Sequence, residues 1–328
     1  MARFGLDVGS SSTVVADAGG GFLLDEPSVM LRLPRGGGTV IGREAAELAD
    51  RIPAGRDALR PVTAGVVTDL DTARRYVRAV LRRVLPRPWQ RTRVAAAVVV
   101  PAGSSALERR ALVEAVEEAG VSRAAPIPAP VAAALGCGLD PLDRRVHMVA
   151  VAGAGTAEVM AVCAGEVLAV RSTRTAGDAL TAAVRRHVRT AHGLILDHGA
   201  AEDVTVRAGA APEGGEVAVT GRDPEHGRPR SVRLPADELH AVLAPLVTAT
   251  AQTLAGCLDD LPARAVDDLS ADGVLLVGGA SPTRGLRTAL EAGLGLPVKQ
   301  VENATTCVAE GAARSMLTPA VRHAYDAF

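Results

Sequence analysis

One pattern in this chain occurs twice. Residues 4–24, FGLDVGSSSTVVADAGGGFLL, read as strand, small-residue turn, strand, Gly-rich turn, strand. Residues 148–170, MVAVAGAGTAEVMAVCAGEVLAV, read the same way. Setting Gly9 over Gly153 lays Ser10, Ser11 and Ser12 over Ala154, Gly155 and Thr156, and Asp7 over Val151. A small-residue turn at a strand end lets backbone amides close around a phosphate. Either copy alone is an ordinary Gly-containing hairpin. Two in register imply two similar domains facing one cleft.

The segments between the copies read as strands alternating with helices. Residues 69–84 carry an apolar stripe at Leu70, Ala73, Val77, Val80, Leu81 and Val84. A β-like run, Val94 to Val100, precedes a helix over 104–120. Ser105 and Glu108 form its capping box, and Leu107, Ala111, Leu112, Ala115, Val116 and Ala119 its stripe. After the second copy, 178–193 reads as a helix striped by Leu180, Ala183, Val184 and Val188. A hairpin around DPEHGRP is expected within 212–234, then a helix from about Ala236 to Leu261. Residues 273–295 read as buried strand, Gly278-Gly279 turn and helix. Open α/β sheets bind ligands at such strand ends. The fold class is α/β, two similar halves flanking a cleft.

Composition narrows the function. The chain has 328 residues, 48% of them apolar and 2% aromatic, so its core is built from Ala, Val and Leu. A net charge of −1 gives no field favouring nucleic acid. Cys137, Cys163, Cys257 and Cys307 are scattered without CxxC, which fits a reducing cytoplasm and argues against a disulfide framework or a zinc site. The seven histidines form no HExxH and no close sequence pair with a carboxylate. No run of 18 apolar residues is present, and the first residues do not read as a signal peptide.

GLDVGSSSTVV, RPVTAGVVTDLD (60–71), VPAGSSALERRALVEAVEEAG (100–120), GRDPEHGRP (221–229), VLLVGGASPTRGL and ENATTCVAEGAAR together resemble the actin-like ATPase superfamily, and within it the rod-shape MreB/Mbl family. The resemblance runs over about residues 3–315 and implies an actin-like, ribonuclease H-like duplicated fold of four subdomains. It places the first large domain at 1–31, 67–145 and 315–328, and its small subdomain at 32–66. The second large domain falls at 146–180 and 241–314, with its small subdomain at 181–240. It implies ATP with Mg2+ in the cleft, and membrane-associated filaments that organise cell-wall synthesis on the inner face of the cytoplasmic membrane. Expected partners are further copies of the chain, the membrane surface, cell-wall morphogenesis proteins and an intact MreB paralogue. The nucleotide set it implies begins with Asp7, Gly9, Ser10, Ser11, Ser12 and Thr13. It continues with Gly153, Ala154, Gly155, Thr156, Gly177 and Asp178, and ends with Glu202, Gly278, Gly279 and Ala280. Asp7 is the metal residue, acting through water.

The departures from that family are concentrated at the same site. Both phosphate loops of the family begin with an Asp that holds the metal's water shell, and here Val151 stands at the second. Pro128 and Ala129 replace an acidic pair, one member of which helps position the attacking water. Thr205 and Arg207 stand where Lys and Glu are expected near the adenosine. Metal-assisted phosphoryl transfer depends on positioned water and neutralised charge, so the expectation is weak or absent ATP turnover. Binding needs less than catalysis, and the remaining set leaves it open.

LRRVLPRPWQRTR (81–93) joins Arg to apolar residues, and the loop corresponds to a membrane-touching loop of the family. Leu85, Arg87, Trp89 and Arg91 are its candidate membrane contacts. Three functions compete: a filament-forming protein of cell-shape control, a non-polymerising adaptor that docks a partner through the cleft, and a sugar-kinase-type phosphotransferase. Val151 and Ala129 disfavour the third.

Overall fold

The computed structural model describes residues 2–33, 38–51, 58–91 and 93–326. The first half opens with β1 (Ala2–Val8), β2 (Ser12–Asp17) and β3 (Phe22–Pro27). The short pieces β4 (Met30–Arg32), β5 (Thr39–Ile41), α1 (Gly42–Arg51), β6 (Val62–Thr63) and β7 (Val66–Val67) follow. Then come α2 (Leu70–Val84), β8 (Val94–Val100), α3 (Ala106–Glu118), β9 (Arg123–Pro128) and α4 (Ala129–Gly136). The second half repeats the opening as β10 (His147–Ala152), β11 (Ala157–Cys163) and β12 (Glu166–Thr173). It continues with α5 (Gly177–His192), α6 (His198–Ala210), β13 (Glu216–Arg222), β14 (Pro229–Pro235) and α7 (Ala236–Ala255). It closes with α8 (Ala265–Asp272), β15 (Val274–Val277), α9 (Leu286–Leu294), β16 (Val298–Gln300), α10 (Cys307–Ser315) and α11 (Pro319–Ala324).

The two large sheets have one topology. Their strand orders are β3-β2-β1-β8-β9 and β12-β11-β10-β15-β16. In each, the first strand pairs antiparallel with the second and parallel with a later one. The duplication read from the sequence is therefore a duplication of sheets.

The helices form where capping and burial agree. Asp69 caps α2 by accepting from the Thr72 amide, and Tyr76, Val77 and Val80 face the core. Ser105 and Glu108 make the expected capping box on α3. Leu107 departs from its expected stripe. It is 76% exposed, because the first turn of α3 precedes the covered part that begins at Leu112. In α5 all four expected stripe residues are buried. Helix α7 and the turn after it are long and apolar enough to cross a membrane by composition alone. Leu239, Leu243, Val247 and Leu254 nevertheless pack into the second core, and Asp237 and Glu238 occupy its first turn.

Helices α4 and α10 form the layer between the two sheets, in one core shared with Ala95, Ala97, Val149 and Met160. They meet through small residues. A Cβ on Gly311 would lie 1.7 Å from the Ala132 carbonyl oxygen, and one on Gly136 would lie 1.9 Å from that of Cys307. A Cβ on Gly5 of β1 would lie as close to the Ala309 carbonyl oxygen, at 2.0 Å. Residues 307–314 lie on β1, β2 and α4 of the first half, because Gly5 leaves room for the helix backbone.

Candidate functional site

Both small-residue turns sit at the carboxyl end of the first strand of their sheet, and each is closed by the same bond. The Gly9 amide donates to the Ser12 carbonyl at 2.9 Å, and the Gly153 amide to the Thr156 carbonyl at 2.9 Å. The turns face a common cavity of about 620 Å³, within the range of small-molecule sites. A third turn, after β15, completes the wall. Gly278 has φ +97°, and a Cβ there would meet the Ala152 carbonyl oxygen at 2.3 Å. Only glycine fits that approach. The Ala280 amide then donates to the Ala152 carbonyl at 2.9 Å.

Most of the residues expected at the site line this cavity. Asp7, Gly9, Ser10, Ser11 and Ser12 come from the first half, and Gly153, Ala154, Gly155 and Thr156 from the second. Gly177, Glu202, Gly278, Gly279 and Ala280 join them. Two do not. Thr13 is fully buried behind the turn, its hydroxyl 2.7 Å from that of Ser28 and accepting from Tyr76 at 2.9 Å. It faces the other side of β2 because side chains alternate along a strand. Asp178 lies near Arg60, His198 and Glu202 rather than on the cavity wall. Ala154, the extra methyl in the second turn, lies outside the positive-φ region. Its carbonyl accepts from Asp178 at 2.8 Å, and Gly177 lets α5 approach it closely.

The charge pattern is lopsided. Val151 and Ala129 both line the cavity and are 8% and 7% exposed. Asp7 is the acid that remains on an entering strand, and desolvation pushes its pKa up to about 7. Its side chain is half-buried against the cavity wall. Glu158 is 1% exposed and accepts from the Ala102 amide at 2.6 Å. Burial pushes its pKa up to about 8, against the lowering effect of the Ala102 and Gly103 amides.

Contacts cross the cleft between the turns. The Ser11 hydroxyl donates to Glu202 on α6. Arg60 donates to the Ser10 carbonyl at 2.5 Å and lies 3.5 Å from Glu202. The Gly65 amide donates to the Ser10 hydroxyl at 3.3 Å. A Cβ on Gly155 would meet that hydroxyl at 2.2 Å, so the two turns touch. Sequence reasoning missed Glu158, Arg60 and Gly65 as site residues. For Glu158 the signal was a lone acid inside the apolar run AEVMAVC. A buried carboxylate needs a reason.

The residues expected to touch a membrane separate. Leu85 is 7% exposed and packs into the first core, because it ends α2 on its buried side. Arg91 is tied to its carbonyl at 3.1 Å. Trp89 is 65% exposed, with the Arg87 guanidinium 5.4 Å from the ring centre. Phe22 and Leu23 are also exposed, at the start of β3. Strand pairing puts them at the same end of the sheet as Trp89, since Ala2 pairs with Val94 and Phe4 with Asp17.

Comparison with known proteins agrees with this architecture. The MreB/Mbl protein family model matches residues 1–322. The cell shape-determining protein MreB of Escherichia coli (strain K12) is 30% identical over 319 residues, covering 95% of this chain and 92% of that protein. The cell shape-determining protein Mbl of Bacillus subtilis (strain 168) is 26% identical over 313 residues, covering 94% and 93%. Among solved structures, MreB5 of Spiroplasma citri bound to ADP gives a TM-score of 0.84 at 22% identity, covering 98% of this chain and 97% of that one. The MamK double helical filament gives 0.76 at 20% identity, covering 96% and 98%. A duplicated sheet pair around one cleft, matched by a single family model along nearly its whole length, makes this chain a member of the MreB/Mbl protein family.

Proposed function

We propose that this protein is a filament-forming cytoskeletal element of cell-shape control that acts at the cytoplasmic face of the membrane. The observation that carries the reading is the pair of identical turns, Gly9–Ser12 and Gly153–Thr156, facing one cavity in a chain of this family. MreB and Mbl relatives are cell shape-determining proteins, and the related MamK fold builds a double helical filament.

The cleft suits a nucleotide better than it suits a metal. Backbone amides of both turns, the hydroxyls of Ser10, Ser11 and Thr156, and the Gly278-Gly279 turn would hold phosphates and adenosine; the related MreB5 of Spiroplasma citri was crystallised bound to ADP and to AMPPNP. The donor set for Mg2+ is incomplete. Mg2+ prefers carboxylates that hold its water shell. Asp7 offers one, Val151 offers none, and Glu158 is committed to backbone amides. Bound Mg2+ would neutralise charge developing on the phosphates. This chain's own residues bind and orient the nucleotide, but Ala129 and Val151 neither position water nor accept its proton. Nucleotide binding with slow turnover follows. The Ser11–Glu202 bond joins the two halves across the cavity, and a nucleotide seated between the turns would compete with it.

Sedimentation of the purified chain at micromolar concentration, with and without ATP, tests the filament reading. Pelleted protein with filaments under the electron microscope is the expected result. A monomer under all conditions would favour the adaptor.

A further inference from the structure

The second half carries a group of side chains that the cleft does not use. His187 and His192, in the last turns of α5, both point their Nε2 atoms at one oxygen of Glu238, in the first turn of α7. The separations are 2.6 Å and 2.5 Å. All three ligand atoms lie within 4.8 Å of one another. The imidazole rings stand nearly edge to face, at 72° with centroids 5.7 Å apart. Each side chain is a quarter to a third exposed, so ions reach the group from solvent. Sequence spacing gave no hint of it, because Glu238 lies far along the chain and the histidines are five apart.

We propose that His187, His192 and Glu238 bind a single divalent transition-metal ion of the zinc class, which staples α5 to α7. Two imidazole nitrogens and one carboxylate oxygen are a known zinc donor set, with water in the fourth position. Borderline nitrogen ligands select against Mg2+ and Ca2+, which take oxygen. Zinc bonds of about 2.0–2.2 Å in tetrahedral geometry put ligand atoms about 3.4 Å apart. The Glu238 oxygen must therefore withdraw by less than about 1 Å, which an exposed side chain in a first helical turn does by changing rotamer. The helices need not move. Arg230 holds the carbonyls of His192 and Gly193 and fixes the end of α5. Its charge lowers the affinity, so micromolar binding is expected rather than tighter.

The site would act on the cleft through α5. The opposite end of that helix, Gly177, donates to Gly153 of the second phosphate turn at 3.1 Å. This inference does not depend on filament formation or on nucleotide.

The test uses the full chain after chelator treatment. Zn2+ is titrated calorimetrically, and Co2+ is used as a spectroscopic probe. One saturable equivalent, a rise in melting temperature of several degrees, and a Co2+ visible spectrum of four-coordinate intensity are expected. His187→Asn, His192→Asn and Glu238→Gln should each weaken binding at least tenfold. Three variants are used so that loss of folding in one leaves two readings, each checked by its melting transition. Absence of a saturable equivalent in the native chain would overturn the proposal. So would native affinity retained in all three variants, which would place the ion on another surface histidine.

Discussion

Val151 and Glu158 face each other as register partners across β10 and β11, and in the first half Asp7 and Val14 occupy the matching pair across β1 and β2. The acid and the valine have exchanged strands between the two copies. In the first copy the carboxylate stands on the strand that enters the turn. In the second it stands on the strand that leaves it, buried and bonded to the Ala102 amide of the other half. The second acid lines the cavity as well, but its bond to the Ala102 amide ties the two halves together.

That burial sets a pH dependence. A carboxyl whose folded pKa is raised binds more protons in the folded state than in the unfolded one. Its contribution to stability is greatest at low pH and is lost as pH rises through the folded value. For Asp7 the window runs from its ordinary 3.8 to about 7. Asp7→Asn removes the penalty, so the urea midpoint of the variant should gain on the native chain from about pH 4 to about pH 7, without divalent cations, and the gap should then level off. Added Mg2+ should narrow the gap. A difference that does not change with pH would show that cavity water solvates Asp7 fully.

The layer between the sheets makes a second expectation. Gly311→Val places carbon into the Ala132 carbonyl, where backbone on both helices leaves nothing to yield. Destabilisation of about 3 kcal/mol or more is expected by chemical denaturation. Gly279→Ala is the control, since nothing lies within 4 Å of its Cβ position. Similar losses in both would mean that the α4–α10 crossing is not the tight point.

How far the sequence carried depends on whether a feature was local. The paired turns, the Ser105 box on α3 and the α5 stripe follow from residues near one another in the chain, and the structure has them. The place of α10 could not be read that way. Its partners, Gly5 and Ala132, are remote, and a glycine in a strand does not name the helix it admits. The burial of Leu85 and Thr13 could not be read for a related reason. A helix end and a strand face decide their burial, and neither is fixed by the motif that contains them. The cross-cleft contacts of Arg60 and Glu158 join residues whose proximity only the folded chain creates.

At the membrane, Trp89 is the probe. Its emission should shift to the blue on adding anionic vesicles and change little with neutral ones. Salt should weaken the effect, because screening acts within about 8 Å at physiological ionic strength. Trp89→Ala should reduce binding while lowering the melting temperature only slightly, the share lost with the Arg87 contact, since the ring is 65% exposed. Phe22→Ser should weaken binding further if the two loops reach one surface. Unchanged vesicle binding in both variants would remove this end of the sheet from the membrane reading.

The most direct test of the proposed impaired cleft is the rate of phosphate release from saturating ATP and Mg2+ by polymerised protein. Val151→Asp combined with Ala129→Glu supplies both missing acids to a cavity whose turns are otherwise in place. The native chain is expected to release phosphate about 10²-fold more slowly than that double variant, the scale of a lost water-positioning group. Brisk release by the native chain, abolished by Asp7→Ala, would contradict the account.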